Sequence, residues 1–283
     1  MASKQQTQYR SLEALQKINQ LISSKMSKVK YKIMVLSGKG GVGKSFVTAS
    51  LAFALAIMGR KVAVLDADIH GPSIPRMMGV KGKKLLATPD GEIVPVEAPL
   101  GIKVVSIEFM LPQEDVAVIW RGPMKSSAIR ELLAYVSWGD LDYLLIDLPP
   151  GTGDEQLTIA QLIPKITGAI IVTIPSLVSE SVVVKAIDFA RKLNVPIIGL
   201  IENMSYFKCP DGSIHYIFGE GAGERISRKY KLNLLGKIPI DPLIAKCNDE
   251  GVPFFIKYPD SEAAKAFKDV AEKVIRIVER TGV

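Results

Sequence analysis

From Lys32 onward the chain alternates two kinds of apolar pattern. Short runs rich in Val, Ile and Leu recur at Ile33 to Leu36, Val62 to Leu65, Tyr143 to Ile146, Ala169 to Ile174 and Ile197 to Ile201. Between them lie longer stretches with helical spacing, near 44–58, 124–137, 154–163 and 179–193. A strand that is apolar on both faces needs cover on both faces, which crossover helices supply in a parallel sheet. The alternation predicts an α/β fold, a doubly wound and mostly parallel sheet flanked by helices. A last helix, about 261–280, sets Phe267, Val270, Ala271, Val274, Ile277 and Val278 on one face, and five acids balance five bases from Asp260 to Arg280. That balance marks a core-packing helix rather than a basic membrane anchor.

Two segments break the rhythm. Pro89-Asp90-Gly91 lies between Leu85 and Val94, and Pro210-Asp211-Gly212 between Tyr206 and Phe218. Pro presets φ and Gly supplies the left-handed position, so both read as small β-hairpin insertions. Ahead of the first strand, Leu12, Leu15, Ile18 and Ile22 fall at helical spacing. The reading is a basic amphipathic arm over residues 1–30, not cleaved, followed by a single domain over 31–283.

Composition narrows the function classes. With 48% hydrophobic and 23% charged residues the chain is that of a globular protein rather than a disordered one. Two cysteines exclude a disulfide framework and two histidines leave few ligands for a zinc site, which points to a reducing cytoplasm. The net charge of +7 suggests nucleic acid or membrane until it is located: residues 1–32 hold +6 of it, so the body is close to neutral. The longest apolar run, Leu51 to Met58, is too short to span a bilayer.

The chemistry begins after the first strand. Gly38, Lys39, Gly40, Gly41, Val42, Gly43, Lys44 and Ser45 satisfy G-x-x-x-x-G-K-[ST] between a strand and a helix. Such glycines let backbone N–H groups curl around phosphate oxygens, with Lys44 reaching the β- and γ-phosphates and Ser45 a Mg²⁺ ion. Asp147 ends the strand Tyr143 to Ile146, where a carboxylate supports Mg²⁺, and the glycines that follow allow a loop to approach phosphate. Asp66 and Asp68 end the strand at Leu65; on an extended segment alternate residues point the same way, so both carboxylates would face the phosphates. Lys39 adds a charge that one nucleotide already held by Lys44 does not need, and its natural use is in trans.

These residues resemble the Mrp/ApbC branch of the MinD and ParA group of deviant P-loop ATPases, whose K-G-G-V-G-K-[ST] motif matches Lys39 to Ser45. The resemblance spans about residues 30 to 280 and extends to Asp66-Ala67-Asp68, Gly71-Pro72-Ser73, Trp120-Arg121-Gly122-Pro123-Met124, Asp147 through Asp154, Glu202-Asn203-Met204-Ser205-Tyr206 and Ile217-Phe218-Gly219. It implies a homodimer with two ATP molecules sandwiched at its interface, each touched by Lys39 of the opposite subunit. It further implies that Asp68 positions the attacking water, that Asp66 and Asp147 support Mg²⁺, and that Asn203, Pro239 and Asp241 contact adenine. Family members are described as carriers or scaffolds for iron–sulfur clusters, with apoproteins as clients.

The resemblance breaks at one place. Cluster-binding members usually carry C-x-x-C after the N-M-S-Y segment, whereas this chain has Cys209-Pro210-Asp211-Gly212. A symmetric dimer then offers two thiolates, where iron–sulfur clusters normally take four ligands. Cys247 reads as part of a helix end closed by Gly251, and His70 and His215 are left unassigned. The competing readings are a cluster-free ParA- or MinD-like switch acting on DNA, membrane or a protein, which the neutral body and balanced last helix weigh against and the +6 arm keeps open, and a small-molecule kinase, which explains neither Lys39 nor the Asp66/Asp68 pair; nucleic acid and membrane are not the expected partners.

Overall fold

The computed structural model describes residues 2–68, 71–110 and 122–281. A long helix α1 (Ala2–Ser27) leads into β1 (Val29–Ser37), then α2 (Lys44–Ile57), β2 (Val62–Asp66) and the short α3 (Ile74–Met77). A hairpin of β3 (Leu86–Ala87) and β4 (Ile93–Val94) precedes β5 (Val96–Ala98) and β6 (Ile102–Ser106). Next come α4 (Gly122–Tyr135), β7 (Leu141–Asp147), α5 (Asp154–Leu162), β8 (Gly168–Thr173), α6 (Leu177–Lys192) and β9 (Ile197–Glu202). A second hairpin, β10 (Phe207–Lys208) with β11 (Ile214–His215), is followed by α7 (Ala222–Tyr230), β12 (Leu234–Lys237), α8 (Pro242–Glu250), α9 (Phe254–Lys257) and α10 (Glu262–Thr281).

Eight strands form one sheet in the order β12-β9-β8-β1-β7-β2-β6-β5. Every pair is parallel except β5 with β6. All residues of β2 and β8 are buried, as apolar strands covered on both sides require. One face packs against α2, α9 and α10, the other against α1, α4, α5 and α6. β1 lies between β7 and β8, so the loop after it emerges near the middle of the sheet's carboxyl edge, the usual place for a ligand in such folds.

Each strand and helix expected from the apolar patterns is present, and both Pro-Asp-Gly turns close hairpins. Three further strands, β5, β6 and β12, belong to the sheet. Two of them are its edges, where one-sided pairing relaxes the demand for a continuous apolar run. In β12 the strand-weakening Gly236 is required by packing, because a Cβ there would lie 2.5 Å from Val270 Cγ2 on α10. The arm is a 26-residue helix, Ala2–Ser27. Among its described side chains, from Glu13 on, Ile22 and Met26 are buried, with Ile18 and Leu21 packed beside them, whereas Leu15 is 40% exposed. The apolar stripe therefore sits toward the end that docks on α4.

α10 carries much of the cover over α2. Phe267 is fully buried and meets Phe46 edge-on at 5.5 Å between ring centroids. Phe267→Ala is expected to lower unfolding stability by about 3–5 kcal/mol, the range for a buried aromatic truncated to a cavity. Denaturant unfolding of the nucleotide-free protein measures it, and a loss below about 1 kcal/mol would mean that α10 is not packed as described.

Candidate nucleotide site

The loop 38–43 joins β1 to α2 in a conformation that needs glycine. Gly41 and Gly43 have φ of 78° and 75°, and a Cβ on Gly43 would fall 2.3 Å from Asn203 Nδ2. Asn203, buried just beyond β9, donates from Nδ2 to the Val42 carbonyl at 2.9 Å and from its backbone to the Thr173 carbonyl at 2.8 Å. It thus fastens the loop to the neighbouring strand end.

At the other side of the loop, Asp147 is fully buried at the end of β7. Lys44 Nζ lies 2.8 Å from its Oδ1. Ser45 Oγ donates to Oδ2 at 2.6 Å, and Thr48 Oγ1 to Oδ1 at 2.8 Å. Thr48 was not singled out from the sequence, although it lies one turn after Lys44 on the same helix face, the spacing that should have drawn it in. Lys44 Nζ, itself buried, makes no aligned hydrogen bond among the described residues. An ammonium in that condition is complementary to an anionic oxygen that enters the loop.

Asp66 sits directly across from Asp147 in the β2–β7 register. It accepts from Ser106 Oγ and from the Asp68 backbone N–H, each at 3.2 Å. Burial, then the neighbouring charge of Asp147, pushes the Asp66 carboxyl well above its ordinary pKa, against the opposing pull of Lys44. Strand β2 stops at Asp66, so the extended alternation expected to carry both carboxylates does not continue. Asp68 instead follows in a turn that folds its own N–H back onto Asp66 and leaves it half-buried.

The segment after Asp147 is tied to both neighbours. The Gly151 N–H donates to the Ser37 carbonyl at 3.1 Å, and Gln156 Nε2 donates to the Pro150 carbonyl at 2.7 Å while its Oε1 accepts from the Gly153 N–H at 2.8 Å. Gln156, also missed from the sequence, thereby couples this segment to α5. Lys39 is half-buried, and its ammonium makes no hydrogen bond or ion pair among the described residues; only its carbonyl is engaged, by Ser37 Oγ at 3.0 Å. Trp120, Arg121 and His70 lie outside the described residues, as does the side chain of Asp154.

The remaining expected residues gather elsewhere. Pro239, Asp241 and Cys209 line one groove of about 520 Å³ that no residue of the phosphate loop lines. Asp241 caps α8, its Oδ1 accepting from the Leu243 N–H at 2.9 Å. Cys209 is a free, partly exposed thiol at the mouth of the second hairpin, whereas Cys247 is buried under α8, where burial pushes its thiol pKa up. Among the described residues no group of three His, Cys, Asp or Glu is placed to hold a metal within one chain. Glu202, buried at the end of β9, accepts from Ser205 Oγ and, at 2.6 Å, from the Gly223 N–H, so it anchors α7.

Comparison with known proteins agrees with this geometry. Residues 28–275 match the family model of the NUBPL iron-transfer P-loop NTPases in the ParA group. The chain is 56% identical to the iron–sulfur cluster carrier protein of Saccharolobus solfataricus, over 94% of this chain and 92% of that one. Among solved structures it is similar to a nucleotide-binding protein of Archaeoglobus fulgidus in complex with ADP, with 43% identity, a TM-score of 0.74 and coverage of 87% and 98%. It is also similar to the septum site-determining protein MinD of Pyrococcus horikoshii complexed with Mg-ADP, with 26% identity, a TM-score of 0.67 and coverage of 90% and 99%.

The Thr48–Asp147 bond is testable without ligand. Thr48→Val keeps the shape and removes one hydrogen bond to a buried carboxylate, so stability is expected to fall by about 1.5–3 kcal/mol. A change within about 0.5 kcal/mol in denaturant unfolding, the scatter of neutral surface substitutions, would show that the bond is not made.

Proposed function

The chain belongs to the NUBPL iron-transfer P-loop NTPases of the ParA group, and from that membership we propose that it is an ATP-hydrolysing homodimeric switch that carries iron–sulfur clusters or delivers them to apoproteins. One observation supports the nucleotide part above others: a buried Lys44 ammonium at the point where the glycine loop enters α2, without an aligned hydrogen bond and 2.8 Å from the buried Asp147, which Asp66 faces across the sheet. The set fits Mg-ATP. Loop N–H groups and Lys44 would hold the β- and γ-phosphates, and Ser45 with Asp66 and Asp147 offers the hard oxygens that Mg²⁺ prefers. When bound, Mg²⁺ supplies charge neutralisation at the phosphate oxygens. Asp68, half-buried beside this pair, would orient the attacking water and accept its proton, and Asn203, with Pro239 and Asp241, would meet the adenine.

Lys39 makes no hydrogen bond or ion pair within its own described chain, which suits a lysine used across a dimer on the partner's transferring phosphate, in the manner of an arginine finger. The second hairpin offers a surface for such contacts or for clients: Ile214, Tyr216, Ile217 and Phe218 are each 44–58% exposed beside Cys209. The cluster is cargo under this reading, held by Cys209 of two subunits. The basic arm gives the DNA or membrane alternative little support, because Lys25 pairs with Glu92, Lys30 with Asp142 at 2.7 Å, and Lys32 donates to backbone carbonyls. Among the described residues no helix is long and apolar enough to cross a membrane. A cytoplasmic site of action fits the two free thiols.

Lys44→Ala is expected to lose nearly all nucleotide binding, whereas Lys39→Ala keeps ATP but loses turnover by orders of magnitude, as arginine-finger losses do. Equilibrium binding of a fluorescent ATP analogue and phosphate release separate the two. Equal loss of affinity in both variants would overturn the assignment of Lys39 in trans.

For the cargo, anaerobic reconstitution with iron and sulfide is expected to load the wild type weakly and Gly212→Cys better, since four thiolates would then surround one cluster. A Cβ on Gly212 meets nothing within 4 Å, so its φ of 87° is the main obstacle to the substitution. Iron counts per dimer and absorption spectra measure both. If neither protein holds iron while both hydrolyse ATP, the carrier role falls and the ATPase switch stands.

A further inference from the structure

At the sheet edge opposite the phosphate loop, two cavities of about 390 and 460 Å³ lie end to end between α1, the end of α5 and the start of β1, sharing Ser23 and Pro164. They form one groove, separated from the phosphate loop by the nine residues of β1, about 25–30 Å of strand. No Asp or Glu lines either cavity. Four cations do: Arg130 in the first, and Lys30, Lys32 and Lys165 in the second.

Among the described residues only one of the four has a carboxylate partner. Lys30 pairs with Asp142. Arg130 presents a buried Nε with no hydrogen bond among the described residues, an arrangement that costs free energy until an acceptor arrives. Lys32 is nine-tenths buried and donates to the Met26 and Val29 carbonyls at 3.3 and 2.9 Å, which uses two of its three N–H groups and closes the end of α1. Burial, and then the charge of Lys165, holds the Lys32 ammonium below its ordinary pKa, as expected of a cation that lacks a counter-ion. Lys165 itself is exposed, on a turn with φ of 51°.

We propose that this groove binds an acidic peptide segment of a protein partner, with carboxylates on Arg130 at one end and on Lys165 and the remaining Lys32 N–H at the other. An extended chain fits better than a single small anion because the unpaired cations occupy successive cavities and the groove is elongated. Guanidinium and ammonium groups spaced along an acid-free channel supply the charge complementarity that selects such a segment and speeds its docking. A partner seated there leaves the nucleotide edge clear. It also touches the end of α5, whose first turn is fastened through Gln156 to the segment following Asp147.

The test uses the full-length protein and a fluorescein-labelled octaglutamate peptide, followed by anisotropy at roughly 0.15 M ionic strength. Wild type is expected to bind, and Arg130→Gln combined with Lys165→Gln to weaken binding about tenfold or more. Binding of a fluorescent ADP analogue should be unchanged in that variant, which also reports that it is folded; Lys165→Gln alone changes only an exposed side chain and should give a smaller loss in the same direction. Neutralising Lys265 and Lys268 on α10, which covers the other face of the sheet, should leave the peptide affinity within about twofold of wild type. Equal loss from the α10 pair would reduce the effect to general charge and overturn the proposal, as would no binding to wild type. Tripolyphosphate that binds more tightly than the peptide and displaces it, with the same dependence on Arg130 and Lys165, would make the groove a phosphate site instead.

Discussion

Asp147 holds the site together by gathering the first turn of α2 onto the end of β7. Lys44, Ser45 and Thr48 all reach its buried carboxylate, and no other described acid is contacted by so many groups of the loop and helix. Removing two charges from water is expensive, so a lone Lys44–Asp147 pair would contribute little net stability. The two hydroxyls change the balance, because they satisfy the carboxylate without consuming the donors of Lys44. The result is an anchored anion beside a cation that still has hydrogens to give. Asn203 completes the frame from the other side, so that the phosphate loop hangs between β7 and β9 and its glycines are required by contact as much as by φ.

The two edges of the sheet have different electrostatic characters. At the carboxyl edge, three buried acids stand behind a glycine loop and the Lys44 ammonium, which is paired with Asp147. At the amino edge, cations line an acid-free groove closed by α1. α5 begins just after the segment that follows Asp147, and its later residues Thr158, Gln161 and Leu162 line the groove. α1 is part of this arrangement rather than a tail: Lys25 pins it to Glu92 of the first hairpin, and Lys32 closes its last turn.

What the sequence made legible follows burial. Strands apolar on both faces, β1, β2, β7, β8 and β9, announce themselves, and so does a loop whose chemistry lies in consecutive residues. β5 and β12 escape notice because an edge strand need not be apolar on both sides, and Gly236 looks like a strand breaker until Val270 is seen to occupy the space of its missing side chain. Thr48 and Ser106 were harder to see as site residues for another reason: each reaches a carboxylate distant in sequence, whereas Gln156 acts locally on Gly153 and Pro150, and Ser, Thr and Gln are common at positions with no such partner. The Asp66/Asp68 pair was legible as a pair but not as a shape, since strand alternation assumes extended backbone and β2 stops between them. The net charge of the arm could be counted, but its internal pairing with Glu92 and Asp142 could not.

The three buried carboxylates at the carboxyl edge differ in how completely they are satisfied, and that difference assigns their work. Glu202 accepts from a hydroxyl and a helix N–H and has a purely structural task. Asp147 accepts from two hydroxyls with an ammonium against it and serves as the anchor. Asp66 holds only two contacts, both at 3.2 Å, and faces the charge of Asp147 across the strand pair. It has the longest hydrogen bonds of the three, and its pKa is raised because burial and the facing charge of Asp147 outweigh the pull of Lys44. Under the reading proposed above, a divalent cation seated beside Asp66 would favour its charged form, opposing the burial and the Asp147 charge that raise its pKa. The loop is thus held through Asp147 and Asn203 by contacts that are complete within the chain, while Asp66 keeps the weakest set of the three.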